Sequence, residues 1–162
     1  MLKKQILDAI SKNSRYSLEE LAAMLGTDVK NVAKEIEEME ESKVICGYPT
    51  LINWDKTDCE KVSAVIEVKV APQRGLGFDK IAERIYRFEE VESVSLMSGA
   101  YDLSVTIEGK SMKEVAIFVH EKLAPLEAVL STSTSFVLKK YKEHGVTLAN
   151  RKKIEGRMKI TP

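Results

Sequence analysis

Thr27, Asp28, Lys30, Asn31 and Lys34 span eight residues at the start of a helical pattern. They offer two cations, one carboxamide and two short oxygen-bearing side chains. Such a set suits hydrogen bonds to base edges and phosphates, because the first turns of a groove-bound helix are the part that reaches them. Other chemistry is scarce in this chain. Cys46 and Cys59 are the only cysteines and His120 and His144 the only histidines, in no metal-ligand or redox spacing. We therefore expect no metal, no cofactor and no catalytic residue, and two buried or idle thiols. Beyond Lys34 the same helical pattern carries Glu35, Glu37, Glu38, Glu40 and Glu41, which repel phosphates, so only its first turns suit a duplex.

The elements that must hold this set are legible in the pattern. Ser17 followed by Glu20 is a capping box. Leu18, Leu21, Ala22 and Leu25 fall on one helical face, and Gly26 suits a sharp left-handed turn. Thr27 or Asp28 then caps a second helix with the stripe Val29, Val32, Ile36 and Met39. Leu2, Ile6, Ala9 and Ile10 give an earlier helix that ends near Lys12–Asn13–Ser14. Val44–Ile45–Cys46 and Thr50–Leu51–Ile52 flank Gly47–Tyr48–Pro49, which reads as a hairpin or as a plain linker. Three helices and a hairpin make a winged helix-turn-helix. The polar run Asp55–Lys61 marks a boundary.

The second half alternates. Val62, Ala64, Ile66, Val68 and Val70 form one side of a strand, with Ser63, Val65, Glu67 and Lys69 on the other. After a loop from Ala71 to Gly77, Phe78, Ile81, Ala82, Ile85 and Phe88 make a helical stripe. Strands are expected at 91–98 and 101–108, a helix capped by Ser111 and Glu114, and a fourth strand at 129–138. The fold class is α+β: a winged helix-turn-helix followed by a ferredoxin-like βαββαβ sandwich with both helices on one sheet face. The other face is expected to hold Ser93, Ser95, Met97, Asp102, Ser104, Thr106 and one of the two Ser/Thr rows of Ser131 to Ser135. Small hydroxyls in place of charges suggest a second copy packed there, hence a homodimer.

Composition bounds the class. The 162 residues, 44% hydrophobic and 31% charged, describe a globular protein, and no apolar run approaches the ~18 residues of a membrane span. We expect no membrane partner and a cytoplasmic location. Net charge is zero but uneven. Residues 1–58 hold eight basic and eleven acidic side chains, whereas Leu138 to Pro162 hold eight basic against Glu143 and Glu155. That run is a solvated tail or a phosphate-contacting arm. The expected domains are 1–55, 62–141 and a basic tail at 142–162.

The helix-turn-helix, the junction EMEESKVICGY and the turn Ser98–Gly99–Ala100–Tyr101–Asp102, in this order, resemble the Lrp/AsnC family of feast/famine transcriptional regulators, from about Leu2 to Tyr141. The resemblance implies a sequence-specific regulator of transcription that binds double-stranded DNA through Thr27, Asp28, Lys30, Asn31, Lys34 and Lys43. It implies a small-molecule effector, an amino acid, held by Gly99, Tyr101, Asp102, Thr132 and Thr134, and dimers that close into an octamer. Lysine where the family often bears arginine is a poorer bidentate reader of guanine. Sirohaem decarboxylases resemble the same two-domain plan. Arg74, Arg84, Arg87, His120 and His144 are the candidates such an enzyme needs, and they form no motif. A sensor of the same fold that binds no DNA is the other alternative.

Overall fold

The computed structural model describes residues 1–71 and 77–148. The chain divides into two compact units, Met1–Thr50 and Leu51–Pro162. Most of the loop expected over Ala71–Gly77, and the basic run from 149 onward, lie outside the described residues.

The first unit is three helices: α1 (Leu2–Ile10), α2 (Leu18–Leu25) and α3 (Val29–Glu41). The capping box at the start of α2 is formed. The Glu20 amide donates to Ser17 Oγ at 3.2 Å, and the Ser17 amide donates to Glu20 Oε2 at 2.8 Å. These two bonds satisfy donors that the first helical turn cannot. Gly26 ends α2 at φ 65°, ψ 37°, where a side chain is strained, and this sharp exit sets the angle at which α3 leaves. The predicted stripes meet in the core: Ile6, Leu21, Ala22, Val32, Met39 and Ile45 are buried. Each large side chain among them contributes on the order of 1.5–3 kcal/mol of burial.

The hairpin expected to form the wing is absent, and the plain-linker reading is the one realised. Residues 44–53 contain no strand. The Ile45 amide reaches back to the Met39 carbonyl at 2.9 Å, so this β-prone run serves as the exit of α3, with Ile45 buried beneath it. Pro49 supplies no amide for a ladder. Val44 and Ile52 are left exposed. Nor are the thiols buried: Cys46 and Cys59 are both exposed, and Cys46 Sγ donates to the Lys43 carbonyl at 3.2 Å.

The second unit is the ferredoxin-like sandwich. Strands β1 (Val62–Val70), β2 (Val91–Leu96), β3 (Leu103–Gly109) and β4 (Val129–Phe136) form one antiparallel sheet in the order β2-β3-β1-β4. Helices α4 (Gly77–Tyr86) and α5 (Met112–Phe118) contribute Ile81, Ile85, Val115 and Phe118 to a core shared with Ala64, Ile66, Val68, Leu103, Val105 and Ile107. The helix opened by Ser111 keeps α-helical form only as far as Phe118. Beyond it, Val119–Leu123 form a π turn in which the Ala124 amide donates to the Val119 carbonyl at 2.8 Å.

Register fixes the open sheet face. Val65 lies opposite Thr106 and Ser135, Glu67 opposite Ser104 and Ser133, and Lys69 opposite Ser131. The β4 row on this face is therefore Ser131, Ser133 and Ser135, beside Ser93 and Ser95 of β2. The face is made mostly of hydroxyls, as expected, and the central strand sets Val65, Glu67 and Lys69 among them. Asp102, expected on this face, does not belong to it: it precedes β3, and its carboxylate accepts from the Val70 main-chain amide. A tail was expected from residue 142, but Lys142–Glu143 (β5) and Val146–Thr147 (β6) pair as a small hairpin. His144 and Gly145 both take positive φ (45° and 80°), as a two-residue turn between right-twisted strands requires.

Candidate nucleic-acid interface and effector turn

In the first unit, the start of α3 presents Asp28, Lys30, Asn31 and Lys34 to solvent, with Thr27 half-buried. Asp28 is the N-cap. Its Oδ1 accepts the Asn31 amide at 2.9 Å and its Oδ2 accepts Asn31 Nδ2 at 2.8 Å. Both carboxylate oxygens and the donor end of Asn31 are thus engaged within the helix start, leaving the Asn31 side-chain carbonyl to face outward. Lys30 and Lys34, one turn apart, are the exposed cations of this end. Lys34 Nζ lies 3.9 Å from Glu38 Oε1, a loose pair on a side chain that is 75% exposed. Such pairs are weak, so the ammonium stays available to a phosphate.

The acidic remainder of α3 is braced by contacts that the pattern did not reveal. Lys3 of α1 donates to Glu38 Oε2 at 2.8 Å and lies 3.4 Å from Glu35 Oε2. The Lys3 hydrogen bond holds the Glu38 carboxyl below its usual range, and the same bond raises Lys3 above 10.5. Tyr48 donates to Glu40 Oε1 at 2.7 Å. Burial, then the Glu40 carboxylate, pushes this phenol up to about 12. Lys43 sits exposed just past the helix at φ 58°, a left-handed conformation uncommon outside glycine and asparagine.

In the second unit, Gly99, Tyr101 and Asp102 lie in the turn between β2 and β3. This turn is fastened to the end of β1. The Asp102 amide donates to the Val68 carbonyl at 3.1 Å, and the Val70 amide donates to Asp102 Oδ2 at 2.9 Å. The carboxylate thus takes the place of the next ladder carbonyl, beyond the last paired residue of β3. Lys69 Nζ donates to the Ala100 carbonyl at 3.4 Å on the same turn. Gly99 is not in the left-handed region, and a Cβ there meets nothing within 4 Å, so space stands open beside it.

Thr132 and Thr134 lie opposite Val68 and Ile66, on the helix side of the sheet. The fold therefore brings the turn and Thr132 to one end of the sheet but on opposite flanks of β1, two strand spacings or roughly 10 Å apart. Thr134 lies one residue pair further in.

A separate open cleft of about 320 Å³ is lined by Trp54, Asp55, Cys59, Glu60, Lys61 and Lys110 among others, and it contains none of the predicted site residues. Lys61 Nζ lies 4.1 Å from the Trp54 ring centroid and 2.6 Å from Glu108 Oε2. The side chains an enzyme of this plan needs are scattered. Arg84 is on α4, Arg87 pairs with Glu83, His120 is in the π turn and His144 in the C-terminal hairpin, while Arg74 lies outside the described residues. Among the described residues, no group of three or more His, Cys, Asp or Glu side chains is placed to hold a metal. Nor is any helix there long and apolar enough to cross a membrane.

Residues 63–147 match the Lrp/AsnC ligand binding domain, and residues 2–46 match a family described as HVO_A0114. The first match runs past Tyr141 to include the hairpin of β5 and β6. The chain is 55% identical over 142 residues to the HTH-type transcriptional regulator YugG of Bacillus subtilis (strain 168), across 87% of this chain and 86% of that protein. The crystal structure of the leucine response regulatory protein LrpA of Mycobacterium tuberculosis shares the fold with a TM-score of 0.75 at 20% identity, covering 91% of this chain and 98% of that one. That of the transcriptional regulator NMB0573/L-Met complex from Neisseria meningitidis does so with a TM-score of 0.70 at 20% identity, covering 88% and 91%. A helix-turn-helix joined to a β2-β3-β1-β4 sandwich, a ligand-domain match over more than half the length and a relative more than half identical lead to one conclusion: the chain belongs to the Lrp/AsnC family.

Proposed function

We propose that the protein is a sequence-specific DNA-binding regulator of transcription whose action responds to a small molecule, an amino acid. The observation that carries this reading is the capped start of α3, where Lys30, Asn31 and Lys34 stand exposed on a helix-turn-helix. Residues 27 to 34 meet base edges and phosphates, and Lys43 meets the backbone. In a homodimer, two such helices enter successive major grooves about 34 Å apart. Closure of dimers into an octamer adds avidity and lets DNA wrapping contribute to site choice. The relative YugG is a regulator of the HTH type, and the NMB0573 structure is a complex with L-Met. In this chain, Gly99, Tyr101, Asp102, Thr132 and Thr134 take the effector. One Asp102 oxygen already holds the Val70 amide, so the other remains for an ammonium group. Because Thr132 stands across β1 from the turn, a site using both is completed between copies. The effector acts by preferring one assembly state, since a ligand that binds all states equally shifts nothing. The protein works in the cytoplasm, and no catalytic step belongs to this reading.

The test is a gel shift with the DNA upstream of the protein's own coding region at two salt concentrations. A salt-sensitive complex is expected, and no complex at either concentration ends the reading. Thermal shift against the twenty amino acids beside light scattering then identifies the effector as a stabiliser that also changes the mass. A second reading, a sensor without DNA binding, is favoured by the glutamates along α3 and predicts the stabiliser without the gel shift.

A further inference from the structure

The exposed side chains at the start of α3 are Asp28, Lys30, Asn31 and Lys34, and their free hydrogen-bonding capacity is unequal. Lys30 and Lys34 carry donors only. Both Asp28 oxygens are engaged, Oδ1 by the Asn31 amide at 2.9 Å and Oδ2 by Asn31 Nδ2 at 2.8 Å. Asn31 Oδ1 has no partner among the described residues, and it is the unengaged acceptor oxygen of this exposed set.

Asp28 sets which way round this carboxamide stands. Turned over, the amide would hold its oxygen against a carboxylate oxygen at hydrogen-bonding distance, two acceptors with no proton between them. The bond that forms instead is charge-assisted. The carboxylate grips residue 31 twice, through main chain and side chain, which fixes both the rotamer and the sense of the amide. Exclusion of water on docking strengthens such a bond. The Asn31 carbonyl therefore meets a base edge already aimed. In the major groove, adenine N6 and cytosine N4 donate to an oxygen placed there, whereas guanine O6 and thymine O4 oppose it with a second acceptor.

We infer that Asn31 is a specificity-determining residue that selects a base with an exocyclic amine, adenine or cytosine, at one position of each half-site. Asp28 is the positioning residue that imposes this choice. The inference rests on the regulator reading above and names what that reading leaves open, the class of base the helix reads. A carboxamide free to turn over accepts either class, since it carries a donor and an acceptor of nearly the same shape. The clamp by Asp28 turns an indifferent group into a selective one. Lys30 and Lys34 add attraction for phosphates, which carries no sequence information.

The experiment uses the full chain as wild type, Asn31→Ala, Asp28→Ser and Asp28→Asn. Each is selected against a pool of duplexes randomised over about two helical turns, and the bound fraction is sequenced. Serine and asparagine keep an oxygen for the N-cap, so unchanged thermal midpoints are expected and show that these variants are folded. Asn31→Ala should lose the preference at one base pair of each half-site and so identify it. At that pair, purine in place of adenine, or 2-pyrimidinone in place of cytosine, removes the exocyclic amine. The wild type should then lose roughly five- to a hundredfold in affinity and Asn31→Ala far less, the pairing bond being lost equally for both. Asp28→Ser keeps the cap without the second oxygen, and the preference should weaken. Asp28→Asn puts a donor where that oxygen stood and turns the Asn31 amide over. The selected base should change from adenine to guanine, or from cytosine to thymine. An Asn31→Ala variant with the wild-type preference, or a wild type indifferent to the missing amine, overturns the inference and leaves the regulator reading intact. So does a wild-type preference kept by both Asp28 variants. A preference lost in Asp28→Ser but kept in Asn31→Ala overturns it in favour of the aspartate as reader. A wild type that enriches and binds no duplex removes the regulator reading and this inference together.

Discussion

The start of α3 and the turn ahead of β3 each carry an aspartate whose carboxylate accepts a backbone amide, at 2.9 Å in both. Asp28 accepts from Asn31, three residues along the same helix; Asp102 accepts from Val70, thirty-two residues away on another strand. The first bond is local: it forms with the helix and leaves Lys30 and Lys34 in solvent. The second requires β1 and β3 to be already paired, so the candidate turn exists only as part of the completed sheet. One candidate site is thus written in contiguous residues and the other is assembled by topology.

The strongest test of that contrast is the central strand. Ile66 is fully buried in β1, which carries both the Asp102 turn and Thr132. Ile66→Ala is expected to cost about 2–5 kcal/mol through lost burial and the cavity left behind. Urea unfolding followed by circular dichroism measures it, and a loss under about 1 kcal/mol contradicts the packing described.

Asp102→Ala comes next, at about 1–3 kcal/mol, because the Val70 amide at the end of its ladder loses its acceptor. Asp102→Asn keeps an oxygen and should recover most of that stability. If the aspartate also receives an ammonium group, the Asn variant still loses its thermal response to the amino acid. A variant that keeps the full response removes Asp102 from the effector site.

Asp28→Ala removes only the helix cap and should cost about 1 kcal/mol. A loss as large as that of Asp102→Ala would mean the helix start is not the local device described. Lys43→Gly acts in the opposite sense. At φ 58° glycine relieves the steric cost borne by lysine, a gain of about 1 kcal/mol. The same change should flatten the salt dependence of DNA binding by about 1, so stability and affinity move apart.

The smallest effect concerns the brace between α1 and α3. Glu38 has its carboxyl lowered, so its contribution is present above the ordinary carboxylate range and is lost as pH falls through the lowered value. Lys3 is raised, so its contribution is present below 10.5 and is lost as pH rises through the raised value. The difference in urea midpoint between the wild type and Lys3→Gln should therefore hold level from about pH 5 to about pH 10 and close at both ends. A difference that persists in strong acid would assign it to packing.

Where the signal was local, the sequence was a good guide. The capping box at Ser17, the N-cap at Ser111, the turn at Gly26 and the apolar stripes of α2, α3 and α4 appear where periodicity and cap chemistry put them, although the Glu114 carboxylate accepts from the Lys110 amide and not from that of Ser111, so the second box is only half formed. The wing was misread for a local reason: Val44–Ile45–Cys46 has strand propensity, but Ile45 is captured by Met39 and Pro49 denies the ladder a donor. The small hairpin at 142–147 was passed over as tail because its strands are two residues each and its His-Gly turn sits inside a basic run. The roles of Lys3 and Tyr48 were invisible, since each depends on a side chain brought close by helix packing or chain return.

What the residues determined unaided was the kind of element at each position and the chemistry one helix end presents, because helix periodicity and capping act over three or four neighbours. What only the tertiary structure decided was which side chains share a sheet face and which carboxylate is already occupied. Strand order and register placed Glu67 and Lys69 among the serines, turned Asp102 to the Val70 amide and tied Leu148 to Asn53. Each of these pairings joins residues at least thirty positions apart, and no local preference along the chain encodes such a meeting.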